Sequence, residues 1–108
     1  NKMEQHIYDT IIKTARQFNE DVEKIFSTNR EKNTALVRQI AIHIIKEITG
    51  YSLQKVGNCF HRDHSTVLYA VRKVKNLIKE NKRIEIIVSK IMNEAKSEIL
   101  SDNFSRIC

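Results

Sequence analysis

The sequence has 108 residues, of which 41% are hydrophobic and 30% charged; this is the size and balance of one folded domain and excludes a disordered chain. Proline is absent and glycine occurs twice, so the many tight turns of a sandwich or barrel lack the residues that make them, and an all-α fold is expected. The net charge of +6 is unevenly spread: residues 30–83 carry twelve Lys/Arg against four Asp/Glu, whereas the flanks together carry seven against nine.

Helical spacing of Ile7, Ile11, Ala15 and Phe18 predicts a first helix over residues 4–18. Asn19 to Asp21 interrupts it with capping residues, and Val22, Ile25 and Phe26 make a short second helix. Ser27 to Asn33 reads as a polar, basic connector. Residues 34–48 are the most apolar segment. Leu36, Ile40, Ile44 and Ile48 line one side and Val37, Ala41 and Ile45 an adjacent one, a stripe wide enough for a central core helix. Gly50 is placed to end that helix. Ser52 then caps a short helix with Leu53, Val56 and Phe60 on its apolar face. A longer helix follows over 63–80, with Val67, Ala70, Val71, Val74, Leu77 and Ile78 inward. After a polar break at Asn81 to Arg83, a last helix over about 84–100 carries Ile84, Ile87, Val88, Ile91, Ala95 and Ile99. Ser101 to Cys108 shows no clear period and is expected to fray. The sum is a single domain over 1–108, a compact bundle of about six helices.

Several function classes drop out. No apolar run is long enough to cross a bilayer, and the opening NKMEQHIYDT is too polar for a signal peptide. Cys59 and Cys108 do not make a disulfide framework, so a reducing cytoplasm is expected. Gly50 and Gly57 fit no phosphate-binding loop. No cofactor, small-molecule substrate or enzymatic activity is expected. Cys59, His61 and His64 fall short of the four close ligands of a structural zinc site. Asp63, His64 and Ser65 are consecutive on a helix, point in different directions and cannot form a hydrolytic relay.

The informative stretch is SLQKVGNCFHRDHSTVLYAVRKVK, residues 52–75. A short helix, a tight turn and a longer helix make a helix-turn-helix over about 52–80. Gly57 permits a close approach between its arms. The second helix opens on Arg62, Asp63, His64, Ser65 and Thr66. The first residues of such a helix are those that reach base edges in the major groove. Asp accepts from cytosine, and Ser or Thr bonds several bases or touches the thymine methyl. Asp63 also reads as a simple N-cap, and the two roles are compatible. His43, inside the core helix, reads as structural.

RDHSTV, with SLxxVGxxF before it and AxxKV after it, resembles the DNA-binding domain IV of the bacterial replication initiator DnaA. Upstream, ALVRQIAIHIIKEIT is similar to that domain's core helix, and the resemblance runs from about Ile7 to about Lys79. It implies monomeric recognition of an asymmetric element of double-stranded DNA, the DnaA box, through both grooves. It places the minor-groove arginine at Arg30, in a flexible basic loop, and the base-reading positions at Asp63, His64 and Ser65, with Thr66 alongside. Phosphate contacts fall on Lys32, Arg38, Gln39, Lys46, Ser52, Leu53 through its backbone, Arg62 and Lys73. Two features depart from the family. Domain IV usually has two residues, often Gly-Gly, between the Phe and RDH, and here His61 stands alone; this shorter turn is expected to shift the recognition helix. Nothing in these residues resembles the family's ATPase module.

Three readings stay open. One is a DnaA-box binder acting in replication initiation or its regulation. Another is a DnaA-like helix-turn-helix of a phage, mobile-element or transcription-regulatory protein with a different DNA site. The third, of another class, is a helical interaction module whose basic surface takes an acidic protein partner.

Overall fold

The computed structural model describes residues 1–107, with side chains through residue 103; Cys108 lies outside the described residues. Six helices follow in order: α1 (Lys2–Gln17), α2 (Val22–Phe26), α3 (Lys32–Thr49), α4 (Leu53–Phe60), α5 (His64–Glu80) and α6 (Lys82–Ile107).

Each boundary has a local cause. α1 opens on a reciprocal cap between Asn1 and Glu4. It closes with Asn19 in the left-handed region at φ 54° and the Glu20 amide donating to the Ala15 carbonyl at 2.8 Å. Asparagine tolerates that conformation better than most non-glycine residues. Asp21 caps α2 and Ser52 caps α4, each accepting from a backbone amide in the first turn. Gly50 ends α3 at φ 67°, as its sequence position predicts.

α3 is the axle of the fold and contacts each of the other five helices. Val37, Ala41, Ile42 and Ile45 enter a core shared with Ile7, Ile11 and Ala15 of α1, Ile25 of α2, Val56 and Phe60 of α4, and Val67, Ala70 and Val71 of α5. Ile40 and Ile44 pack on the other side with Val74 of α5 and Val88 and Ile91 of α6. Phe60 is fully buried where α4, α2 and α5 meet, stacked against Phe26 at 6.0 Å between ring centres. Burial of a side chain this large stabilises the fold by roughly 2–3 kcal/mol.

The end of the chain differs from the expectation. The polar break narrows to Asn81, whose side chain accepts from the Ile84 amide and starts α6. α6 then continues past residue 100 to Ile107 instead of fraying. Its partner is α1: His6 pairs with Asp102, and Lys13 with Glu98 at 3.0 Å and Glu94 at 3.8 Å. These contacts join residues more than 80 positions apart, which periodicity within α6 does not reveal. Ile86 and Leu100 are exposed on α6, with polar residues between them rather than a continuous apolar stripe. Among the described residues no helix is long and apolar enough to cross a membrane.

Candidate nucleic-acid interface

The α4–α5 unit is closed by one left-handed residue. His61 sits at φ 57°, and the Arg62 amide folds back to donate to the Gly57 carbonyl at 2.9 Å. His61 alone supplies the backbone reversal of this turn. The reversal brings the Arg62 carbonyl against Gly57, where an added Cβ would lie 2.3 Å from it. Gly57 is therefore required by the turn itself, and Val67 of α5 stands next to it at 3.4 Å from the same Cβ position.

α5 opens with its polar cluster in solvent. Asp63, His64, Ser65 and Thr66 are all exposed. Asp63 Oδ1 accepts from the Thr66 amide and from the Ser65 hydroxyl, each at 2.9 Å. The amide bond of Thr66, then the hydroxyls of Ser65 and Thr66, push the Asp63 carboxyl down to about 2. It is a carboxylate at any working pH. The Ser65 hydroxyl and the Thr66 amide both donate to Oδ1, which leaves lone pairs of the carboxylate for an outside donor. Ser65, with its proton given to Asp63, faces outward as an acceptor.

Val67, Ala70, Val71 and Val74 of α5 are buried, so the opposite row is outward. That row carries Ser65 and two residues that no motif marks: Tyr69, 62% exposed, and Arg72. The period that sets the valines inward identifies them. Lys73 is exposed with its ammonium 5.9 Å from the Tyr69 ring centre.

Arg30 and Lys32 are exposed on either side of Glu31, at the start of α3. The loop that carries Arg30 is bonded within itself at two points. Ser27 Oγ accepts from the Asn29 amide at 3.1 Å, and Asn29 Oδ1 from the Glu31 amide at 2.8 Å.

Arg38 requires a correction. Expected as a phosphate contact, it is 7% exposed and points into the protein. Its Nε donates to the Ile25 carbonyl at 2.7 Å, and Nη2 lies 2.8–3.0 Å from the carbonyls of Lys24, Ser27 and Asn29. Burial and the neighbouring Arg62 charge lower its pKa from the ordinary arginine value. The inward position follows from its row on α3, which it shares with buried Thr34, Val37, Ala41 and Ile45. The periodicity contained that signal, whereas the phosphate role came from the family resemblance alone.

Arg62 is half-buried. Its Nη2 donates to the Ser27 carbonyl at 2.5 Å and its Nη1 to the Phe60 carbonyl at 3.1 Å. The first of these bonds draws the Arg30 loop beside the start of α5. Lys46, Ser52 and Leu53 form a separate group at the α3–α4 joint, where Lys46 Nζ donates to the Tyr51 carbonyl at 2.6 Å. Ser52 is exposed and caps Lys55, and the first amides of α4, from Leu53 on, have no acceptor within the helix. Gln39 is half-buried in the middle of α3, with its Oε1 in the interior and without a partner. Burial lowers the His43 pKa, and its Nδ1 has no partner, in keeping with a residue of the core. Among the described residues no group of three His, Cys, Asp or Glu side chains is placed to hold a metal ion.

A helix-turn-helix with an exposed polar helix start, beside a basic loop and amid an excess of cations, defines a module of the nucleic-acid-binding helix-turn-helix class. Residues 8–74 match the family described as the bacterial dnaA protein helix-turn-helix, and the chain belongs to that family. It is 37% identical over 91 residues to the chromosomal replication initiator protein DnaA of Streptococcus thermophilus, covering 83% of this chain and 20% of that protein. It is 43% identical over 76 residues to the same-named protein of Streptococcus uberis, covering 69% and 17%. The chain thus spans about a fifth of the length of the curated relatives it matches. The crystal structure of a DNA replication initiation factor superposes with a TM-score of 0.75 at 26% identity, over 89% of this chain and 30% of that one.

Proposed function

We propose that this chain binds double-stranded DNA of the DnaA-box type as a monomer, in chromosome replication initiation or its regulation. The observation that carries the proposal is the Arg62–Ser27 bond, because it sets the Arg30 loop next to the exposed start of α5. One element is then available to the major groove and the other to the adjacent minor groove. Asp63, His64, Ser65 and Thr66 read base edges from the start of α5. Arg30 reads the minor groove, where a narrow A·T-rich stretch concentrates negative potential. Lys32, Lys46, Lys73, Ser52, the Leu53 amide and Gln39 hold phosphates. Family membership and the names of the relatives support replication initiation as the setting. The work is binding rather than catalysis.

The deciding experiment is a fluorescence-anisotropy titration of a labelled DnaA-box duplex and a scrambled duplex across a salt series. Tight binding that favours the box and weakens steeply with salt is expected. Salt-dependent binding without preference moves the readout to another sequence. Absence of binding to either duplex favours an acidic protein partner instead. Lys73→Ala is expected to weaken both duplexes alike and to reduce the salt slope by about one unit.

A further inference from the structure

Arg38 and Arg62 approach the Ser27 carbonyl from different parts of the chain. Arg38 projects from α3 and Arg62 from the turn between α4 and α5, and each places an Nη2 on that oxygen, at 3.0 and 2.5 Å. Arg38 adds the carbonyls of Lys24, Ile25 and Asn29, so the segment entering the Arg30 loop is held at four points from within. Arg62 also holds the Phe60 carbonyl, which anchors the same guanidinium to the last residue of α4. Two like charges side by side on one carbonyl are electrostatically unfavourable to each other, and after burial the Arg62 charge is the next cause that lowers the Arg38 pKa. A polyanion lying across the loop would relieve that repulsion.

We propose that Arg38 and Arg62 are positioning residues for DNA reading: a two-arginine clamp on Ser27 that fixes the Arg30 loop at a set distance from the start of α5. This rests on the DNA-binding proposal above and assigns both arginines a task other than phosphate contact. A guanidinium presents several donors in a rigid plane, so one group can serve carbonyls lying in different directions. An ammonium of the same charge cannot reproduce that fork. With the clamp in place, the minor-groove and major-groove elements meet the duplex in one register, and the ordering cost of the loop is met before DNA arrives.

The test uses charge-preserving variants of the chain. A phosphate contact tolerates lysine as a point charge, whereas a clamp does not. Arg62→Lys is the main variant, because its partly exposed site is the less damaging to alter; Arg38→Lys is the second. Anisotropy is measured on a DnaA-box duplex and on one whose flanking A·T pairs are changed to G·C, which adds an amino group to the minor groove. Arg62→Lys is expected to lower the preference between these duplexes about tenfold, and to have no further effect when Arg30→Ala is already present. Equal preference in Arg62→Lys and the parent chain, or additive effects with Arg30→Ala, would overturn the clamp. Hydrogen exchange without DNA supplies the independent arm. The Asn29 and Glu31 amides are bonded within the loop and are expected to exchange faster in both lysine variants. Unchanged exchange overturns the clamp whatever the DNA result. Faster exchange in a parent background that shows no duplex preference overturns the role in reading while leaving the mechanical clamp standing.

Discussion

The start of α5 and the Arg30 loop present their side chains by opposite means. At the start of α5 the cap is local: Asp63 takes the Ser65 hydroxyl and the Thr66 amide, two and three residues away. The Arg30 loop has two local turns of its own, but its carbonyls are held by Arg38, 9 to 14 residues away, and by Arg62, 35 residues away. Local capping fixes the helix start with bonds between neighbours in the sequence. Long-range clamping makes the position of the loop depend on the packing of the whole bundle. A change to the packing is therefore expected to move the loop before it moves the helix start.

The largest effect is expected where both regions share a support. Gly57→Ala puts a methyl group 2.3 Å from the Arg62 carbonyl, so the turn must open. The cost is about 3 kcal/mol, at the high end for overpacking, because the obstructing atom is backbone. Gly50→Ala is the contrast: no atom lies within 4 Å, and the strain of φ 67° alone costs about 1 kcal/mol. Urea denaturation of the two variants measures the difference, and equal losses would show that the turn does not need its close approach.

Next in size, Arg38→Met separates the regions. It takes the guanidinium donors from the Ile25 and Asn29 carbonyls, at a cost of about 2–3 kcal/mol. In chemical-shift spectra of this variant, residues 24–31 are expected to shift most and the Asp63–Thr66 cap least. Comparable shifts at the cap would mean that the two regions are not independently built.

On DNA, His64→Ala or Ser65→Ala is expected to cost about 1–3 kcal/mol on the preferred sequence and little on random duplex. Equal losses on both would remove them from base reading. The smallest effect is a matter of pH. The folded Asp63 carboxyl titrates near 2, below its ordinary 3.8, so its cap adds stability that is fully present above about pH 4. That contribution is lost as pH falls through about 2. Between pH 7 and 4 the parent chain and Asp63→Ala should keep a constant gap in thermal stability, which closes at lower pH. A gap that closes above pH 4 would contradict the cap geometry.

The sequence by itself determined whatever depends on near neighbours. Helical period located the inward rows of α1, α3 and α5, and side-chain and glycine caps marked Asp21, Gly50, Ser52 and Asp63 as boundaries. Hydrogen bonds that span two to four residues leave their residue types in the sequence at fixed offsets, so the candidate reading helix was legible together with its first turn. Tertiary structure alone decided what those side chains face. The family resemblance placed Arg38 among the phosphate contacts, and only the carbonyls of Lys24, Ile25, Ser27 and Asn29 converging on its inward row make it a loop anchor. The extension of α6 to Ile107 likewise comes with His6 and Lys13 of α1 meeting Asp102, Glu94 and Glu98, contacts that no local pattern shows. The one-residue turn at His61 was visible as a missing residue, but its accommodation was not. A left-handed backbone at a histidine is uncommon and residue type alone does not announce it; the local Arg62–Gly57 bond closes the turn, and packing then sets Val67 of α5 beside Gly57.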